Sequence, residues 1–166
     1  MKKLLIIDGN SSLNRAYHGI RPLTAPDGTP TNAVYGFLNI LFKHLEEEKP
    51  DYLSVAFDVK EKTFRHKKYY LYKAQRKPAP EDFLVQLPLI KEVLHAMNCH
   101  CMELPGWEAD DIIGTVSKIC EEQSVECKIL TGDKDDLQLC SDTTIVKLVI
   151  TRMGKSDTTD YGKTEF

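Results

Sequence analysis

Short, nearly all-apolar runs alternating with amphipathic helical patterns predict an α/β fold built on an open, mostly parallel sheet flanked by helices. Leu4–Ile7, Tyr52–Phe57 and Cys127–Leu130 have strand length and little polar interruption, as strands covered on both faces require. Helical periodicity fills the gaps between them, which implies right-handed βαβ crossovers. The runs also end in carboxylates or turns, and open α/β sheets form their sites outside those carboxyl ends.

In chain order, Met1-Lys2-Lys3 followed by Leu4–Ile7 starts like a signal peptide, but Asp8 closes the apolar run after four residues. With no hydrophobic region of sufficient length and no cleavage site, it reads as a buried strand. Asn10–Tyr17 is expected to be helical, with Asn10, Ser11 and Ser12 as candidate N-caps. Thr31–Glu48 places Val34, Phe37, Leu38, Leu41, Phe42 and Leu45 on one helical stripe. After the strand Tyr52–Phe57, a helix over Glu81–Met97 carries Leu84, Leu87, Leu94 and Met97, and Pro78 and Pro80 mark its start. Cys99–Leu104 reads as a further strand, and Glu108–Glu122 as a helix with Ile112, Ile113, Val116 and Ile119 on one face. Cys127–Leu130 and Thr144–Ile150 complete the strands. Arg152–Phe166 is polar, and Thr164-Glu165-Phe166 resembles the opening of another helix, so the chain is expected to be the front piece of a longer protein.

A length of 166 residues suits one domain, and 42% hydrophobic with 28% charged residues is an ordinary globular mix. No apolar run approaches the ~20 residues that span a bilayer, so no membrane partner is expected. Five cysteines without a paired framework suit a reducing cytoplasm, and a monomer is expected. The net charge of −3 conceals a strong segregation. Between Lys60 and Lys77 eight cations face one acid, giving +7, whereas Glu103–Asp136 holds ten acids against three lysines, giving −7.

Asp8 follows the first strand, Asp58 the second, and Asp133 and Asp135 follow Ile129-Leu130 through Thr131-Gly132. Glu108-Ala109-Asp110-Asp111 opens a helix, where carboxylates suit the dipole. Each acid alone is most simply a turn residue or helix cap. Together at one sheet edge they would repel unless cations neutralise them. Oxygen-only ligands suit hard ions, Mg²⁺ or Mn²⁺, rather than Zn²⁺. Cys99-His100-Cys101 is the one soft-ligand group, but its neighbours alternate faces and its spacing is not that of a zinc site.

The basic stretch, about residues 60–80, contains Lys60, Lys62, Arg65, Lys67, Lys68, Lys73, Arg76 and Lys77 with Phe64, Tyr69, Tyr70 and Tyr72 between them. A solvated face is one reading. Phosphate binding with stacking on unpaired bases is the other, and the stretch begins beside Asp58. It has few aliphatic residues to bury, so it is expected to be mobile. Gly-x-x-x-x-Gly-Lys-Ser/Thr, Gly-x-Gly-x-x-Gly and Gly-x-Ser-x-Gly are all absent, against triphosphatases, dinucleotide enzymes and α/β-hydrolases.

Five motifs in register carry a resemblance: Leu5-Ile6-Ile7-Asp8-Gly9-Asn10, Phe57-Asp58-x4-Thr63-Phe64-Arg65, Tyr72-Lys73-x2-Arg76, Glu108-Ala109-Asp110-Asp111-Ile112-Ile113-Gly114 and Thr131-Gly132-Asp133-Lys134-Asp135-x2-Gln138-Leu139. Over essentially its whole length, 1–166, the chain resembles the bacterial 5′ nucleases, in particular the 5′→3′ exonuclease (flap endonuclease) domains of polymerases. The resemblance implies a PIN-like three-layer fold with a basic arch, and two divalent ions held by Asp8, Asp58, Glu108, Asp110, Asp111, Asp133 and Asp135. It also implies Lys73 and Arg76 on the scissile phosphate, Tyr72 on the end base, and Arg65, Lys67, Lys68, Lys77 and Asn10 on DNA, with the backbone at Gly9 and Asn10 close to the metal edge. The implied partners are DNA with a 5′ flap, nick or single-stranded 5′ end, and a polymerase domain in cis. The helical element that follows in the family, with further aspartates, lies beyond this chain, so the second ion site is expected to be incomplete and activity weak. The alternatives are a PIN-like ribonuclease, a phosphatase acting through Asp8 (with Asn10 where a second acid is needed), and a non-catalytic flap-binding module.

Overall fold

The computed structural model describes residues 1–165. Its strands are β1 (Lys3–Asp8), β2 (Tyr52–Ala56), β3 (His100–Met102), β4 (Glu126–Thr131), β5 (Thr144–Arg152) and β6 (Lys155–Tyr161). Its helices are α1 (Gly9–Gly19), α2 (Asn32–Glu48), α3 (Phe64–Lys68), α4 (Glu81–Leu84), α5 (Gln86–Ala96) and α6 (Ala109–Glu122), and a 3₁₀ turn spans Lys134–Leu139. The sheet order is β3-β2-β1-β4-β5-β6, parallel except for β6. From β1 the chain winds outward to β3, then returns to β4 on the other side of β1. The topological switch point therefore lies between β1 and β4.

Side-chain alternation distributes the core over two layers. Leu5, Ile7, Val55, Leu130 and Val149 pack against α1, α2 and α5, with Phe37 filling that layer. Leu4, Ile6, Ala56, Ile129 and Val146 pack against α6, chiefly through Ala109 and Ile113. Burial on both faces explains why these strands are nearly continuous apolar runs. Removing a side chain such as Phe37, 1% exposed, costs about 3–5 kcal/mol in cores of this kind.

Three expectations change. Arg152–Phe166 includes a strand, β6, which closes a hairpin with β5 through Met153 and Gly154 at φ 51° and 78°. Both central residues lie in the left-handed region, as a type I′ turn demands. Its run Lys-Ser-Asp-Thr-Thr-Asp-Tyr is polar because β6 is an edge strand, and polarity concealed it. The helix expected over Glu81–Met97 is divided at Val85 into α4 and α5. Pro88 explains the break, since it offers no N–H to the carbonyl of Leu84 and its ring crowds that carbonyl. The N-cap of α1 is Asp8, whose carboxylate accepts the Ser11 N–H at 3.1 Å, rather than Asn10, Ser11 or Ser12. Of the terminal trio, Thr164 and Glu165 close a 3₁₀ turn, and Phe166 lies outside the described residues.

Candidate metal centre and nucleic-acid interface

Asp8 is the last residue of β1 and the first cap of α1, so one carboxyl serves a strand end and a helix start. It is 4% exposed and accepts a second hydrogen bond from the Thr131 hydroxyl at the end of β4. Gly9 permits this tight entry, because a Cβ there would stand 2.4 Å from the Phe57 ring. Asp58, just past β2, accepts the Ala109 N–H at 2.7 Å and so anchors the first turn of α6. The Asn10 side-chain oxygen accepts the Asp58 N–H at 2.8 Å and ties the β1 and β2 ends together, and the residue also lines the groove beside the basic arm. Beyond β4, Ser11 Oγ accepts the Gly132 N–H, and the Arg15 guanidinium donates to the Gly132 carbonyl at 2.7 Å. Those two contacts fix the loop that carries Asp133. Neither Ser11 nor Arg15 is distinguishable from an ordinary helix residue in the sequence.

The tightest convergence joins Asp8, Asp110 and Asp136, whose carboxylate oxygens can lie within 4.8 Å of one another. Asp110 projects from the first turn of α6, and Asp136 from the 3₁₀ turn after β4. Asp58, Glu108 and Asp133 stand around this trio, close enough to raise the Asp110 carboxyl. Asp135 is exposed and outside the trio. Asp111 turns to Arg65, which donates two hydrogen bonds to it at 2.7 and 2.8 Å, and the Asp111 carboxylate also accepts the Glu108 N–H. Asp136 was not anticipated, although a signal exists. In a 3₁₀ turn residues three apart eclipse, so Asp136 falls on the side of Asp133 and Leu139.

Electrostatics follow from this crowding. Burial is the largest influence on Asp8 and pushes its carboxyl up to about 8; the Ser11 N–H opposes this, and Asp136, Asp110 and Asp58 add repulsion. Burial and then the charges of Asp136, Asp133 and Asp58 raise Asp110 to about 7. Burial, partly offset by the Thr131 hydroxyl, raises Asp136 to about 6. The Arg65 hydrogen bonds hold Asp111 below the usual carboxylate range. A hard divalent cation fits this donor set: the oxygens are buried and convergent, and among the described residues neither His nor Cys enters the cluster.

The basic arm crosses this edge. Thr63 and His66 brace the start of α3 through a 2.8 Å contact, and Phe64 packs on Trp107 with ring centroids 4.9 Å apart. Successive tight turns follow, with the Tyr72 N–H on the Tyr69 carbonyl and the Arg76 N–H on the Lys73 carbonyl. Lys73 takes a left-handed φ of 55°, which costs a non-glycine residue about 1 kcal/mol or more. The turn delivers its ammonium to Glu108 Oε1 at 2.6 Å, and the Tyr72 hydroxyl donates to Glu108 Oε2 at 3.1 Å. Burial would lower the Lys73 ammonium, but Glu108 outweighs it and the net shift is upward. Lys67, Lys68, Arg76 and Lys77 are exposed. An open groove of about 900 Å³ beside the arm is lined by Asp8, Asp58, Asp110 and Asp133 on one side and Lys73, Arg76 and Lys77 on the other.

Residues 3–166 match the family model described as the 5′-3′ exonuclease, N-terminal resolvase-like domain. The chain belongs to this family. It is 45% identical over 154 residues to the DNA polymerase I of Caldicellulosiruptor bescii, covering 93% of this chain and 18% of that protein. It is 44% identical over 146 residues to a 5′-3′ exonuclease of Aquifex aeolicus, covering 88% of this chain and 50% of the relative. The chain thus spans half or less of the length of these relatives. Among solved structures, the bacteriophage T5 flap endonuclease complexed with DNA and metal ions superposes with a TM-score of 0.71 at 18% identity, over 97% of this chain and 58% of that one. At that identity the likeness establishes the fold, which agrees with the PIN-like, mostly parallel sheet. Among the described residues no helix is long and apolar enough to cross a membrane.

Proposed function

We propose that this chain is the nuclease core of a divalent-metal-dependent, structure-specific 5′ nuclease. It would hydrolyse phosphodiester bonds at DNA 5′ flaps, nicks or single-stranded 5′ ends during replication and repair. The observation that carries the reading is the convergence of Asp8, Asp110 and Asp136 at the switch point, directly beneath a basic aromatic arm. Asp8, Asp58, Glu108, Asp110 and Asp133, with Asp111 and Asp135 at the margin, are the acids that would hold Mg²⁺ or Mn²⁺. When bound, such ions lower the pKa of water and stabilise charge on a phosphodiester. Lys73 and Arg76 would bind the phosphate to be cut, with Lys73 exchanging its Glu108 contact for that anion. Tyr72 would offer its ring to the terminal base, and Arg65, Lys67, Lys68 and Lys77 would hold the flanking phosphates. The relatives named DNA polymerase I support a polymerase domain in cis, and a monomeric chain in the cytoplasm with the nucleoid completes this reading.

The test is cleavage of a 5′-flap DNA with and without Mn²⁺. Turnover should require the ion, and Asp58→Ala and Lys73→Ala should each lose at least about a hundredfold in rate. Wild-type cleavage by either variant overturns its assigned role. Preference for single-stranded RNA would favour the ribonuclease reading, and flap binding without ion-dependent turnover would favour a binding module.

A further inference from the structure

We propose that Asp136 is a direct carboxylate ligand of the divalent cation at the switch point, sharing it with Asp8 and Asp110. The proposal rests on the metal-dependent reading above and adds a ligand that none of the five sequence motifs identifies.

Three independent features converge on this residue. Its carboxylate belongs to the one group of acids in the described chain whose oxygens come within 4.8 Å of each other. It is 1% exposed, and its Oδ2 accepts no hydrogen bond from any protein donor. A buried carboxylate oxygen left without a partner is expensive, and such groups are retained where a ligand satisfies them. The turn that carries it is also rotationally fixed. Asp133 caps the 3₁₀ turn through the Asp135 N–H at 2.9 Å, and Leu139 packs into the α6-side core. With both ends pinned and a three-residue repeat, the inward position falls to Asp136, while Asp135 faces solvent.

The surroundings support a ligand rather than a structural acid. A structural acid is matched by an amide or a cation, as the less buried Asp111 is by Arg65. Thr131 is the nearest donor, but its hydroxyl is also directed to Asp8 Oδ2 at 3.3 Å and accepts the Asp133 N–H at 3.0 Å. Asp136 Oδ2 is left without a partner, in a carboxylate that converges with those of Asp8 and Asp110. A hard cation is the partner that satisfies all three at once.

The experiment is Mn²⁺ titration of the 166-residue chain, read by electron paramagnetic resonance of free Mn²⁺, with folding of each variant verified by thermal unfolding in EDTA. Asp136→Asn should raise the Kd for Mn²⁺ at least about tenfold. Asp142→Asn, which removes the same charge from an exposed acid paired with Lys163, should leave the Kd within about twofold, as a weak surface pair predicts. Asp136→Ser supplies a second, smaller replacement should the amide fail to fold. An unchanged Kd in either folded Asp136 variant overturns the assignment and leaves the metal-dependent reading standing. A wild-type chain that binds no Mn²⁺ overturns both.

Discussion

Two charge clusters on the same sheet are built in opposite ways. Under the C-terminus of α2, Lys3, Lys128 and Lys147 rise like a staircase across β1, β4 and β5 and converge on Glu48. Asp160 of β6 and Glu126 take up the remaining positive charge at 2.7 and 3.1 Å. Burial would raise the Glu48 carboxyl, but the Lys147 hydrogen bond and the three ammonium charges outweigh it and hold it at about 2. At the carboxyl edge, Asp8, Asp110 and Asp136 converge, and burial, with repulsion from neighbouring carboxylates, leaves them at about 8, 7 and 6. The comparison separates structural from functional charge. A cluster that exists for folding completes itself with side chains, and one that exists for a ligand leaves oxygens over.

Removing the centre of the paired cluster should do most damage. Glu48→Ala removes the carboxylate that three ammonium groups share, leaving Lys147 on Asp160 and Lys128 on Glu126 alone, and should cost about 3 kcal/mol in chemical unfolding. A loss below 1 kcal/mol would mean that the lysines reach water freely.

The pH dependence should then run in opposite directions at the two clusters. Glu48 lies below its ordinary 4.5, so its contribution is complete above about pH 4.5 and is lost as pH falls toward 2. That loss is worth up to about 3 kcal/mol. Asp8 lies above its ordinary 3.8, so in EDTA stability should decline as pH rises from about 4 to 8. Saturating Mn²⁺ should remove that decline, because the cation replaces the proton. A flat profile between pH 4 and 8 in EDTA would contradict the crowding at the carboxyl edge.

The smallest effect concerns the arm. The amides of residues 74–77 and of Ala79 should exchange within seconds at neutral pH, far ahead of those in β4, since exposed turns open locally at little cost. Protection there equal to the sheet would contradict a movable arm. Protection should survive longest around Thr63–Arg65, where the Phe64 N–H is bonded to the Gly106 carbonyl and Arg65 is bonded to Asp111.

Legibility in the sequence divided along similar lines. β1, β2 and β4 are readable because burial on both faces leaves nearly uninterrupted apolar runs, and the acids that follow them mark the carboxyl edge of the sheet. β6 is not, since an edge strand with polar residues on both sides carries no period-2 signal. The interruption at Val85 is readable only through Pro88, which leaves the Leu84 carbonyl, four residues upstream, without its helical partner. Lys128 and Lys147 lie inside apolar strands, and only strand register reveals that they meet one helix-end carboxylate. Asp133 and Asp135 were singled out by motif, whereas the inward acid of that turn depends on its 3₁₀ phase, which composition does not encode. The resemblance indicated which residues to compare, and the backbone decided which of them face each other.

The central claim is that the carboxyl edge holds a divalent cation. The most direct measurement is anomalous diffraction from crystals of this chain soaked in Mn²⁺. The account predicts a peak bounded by Asp8, Asp110 and Asp136, with Asp58, Glu108 and Asp133 around it. Ordered Mn²⁺ found only elsewhere on the surface, with Asp8, Asp110 and Asp136 still facing one another unbridged, would contradict it.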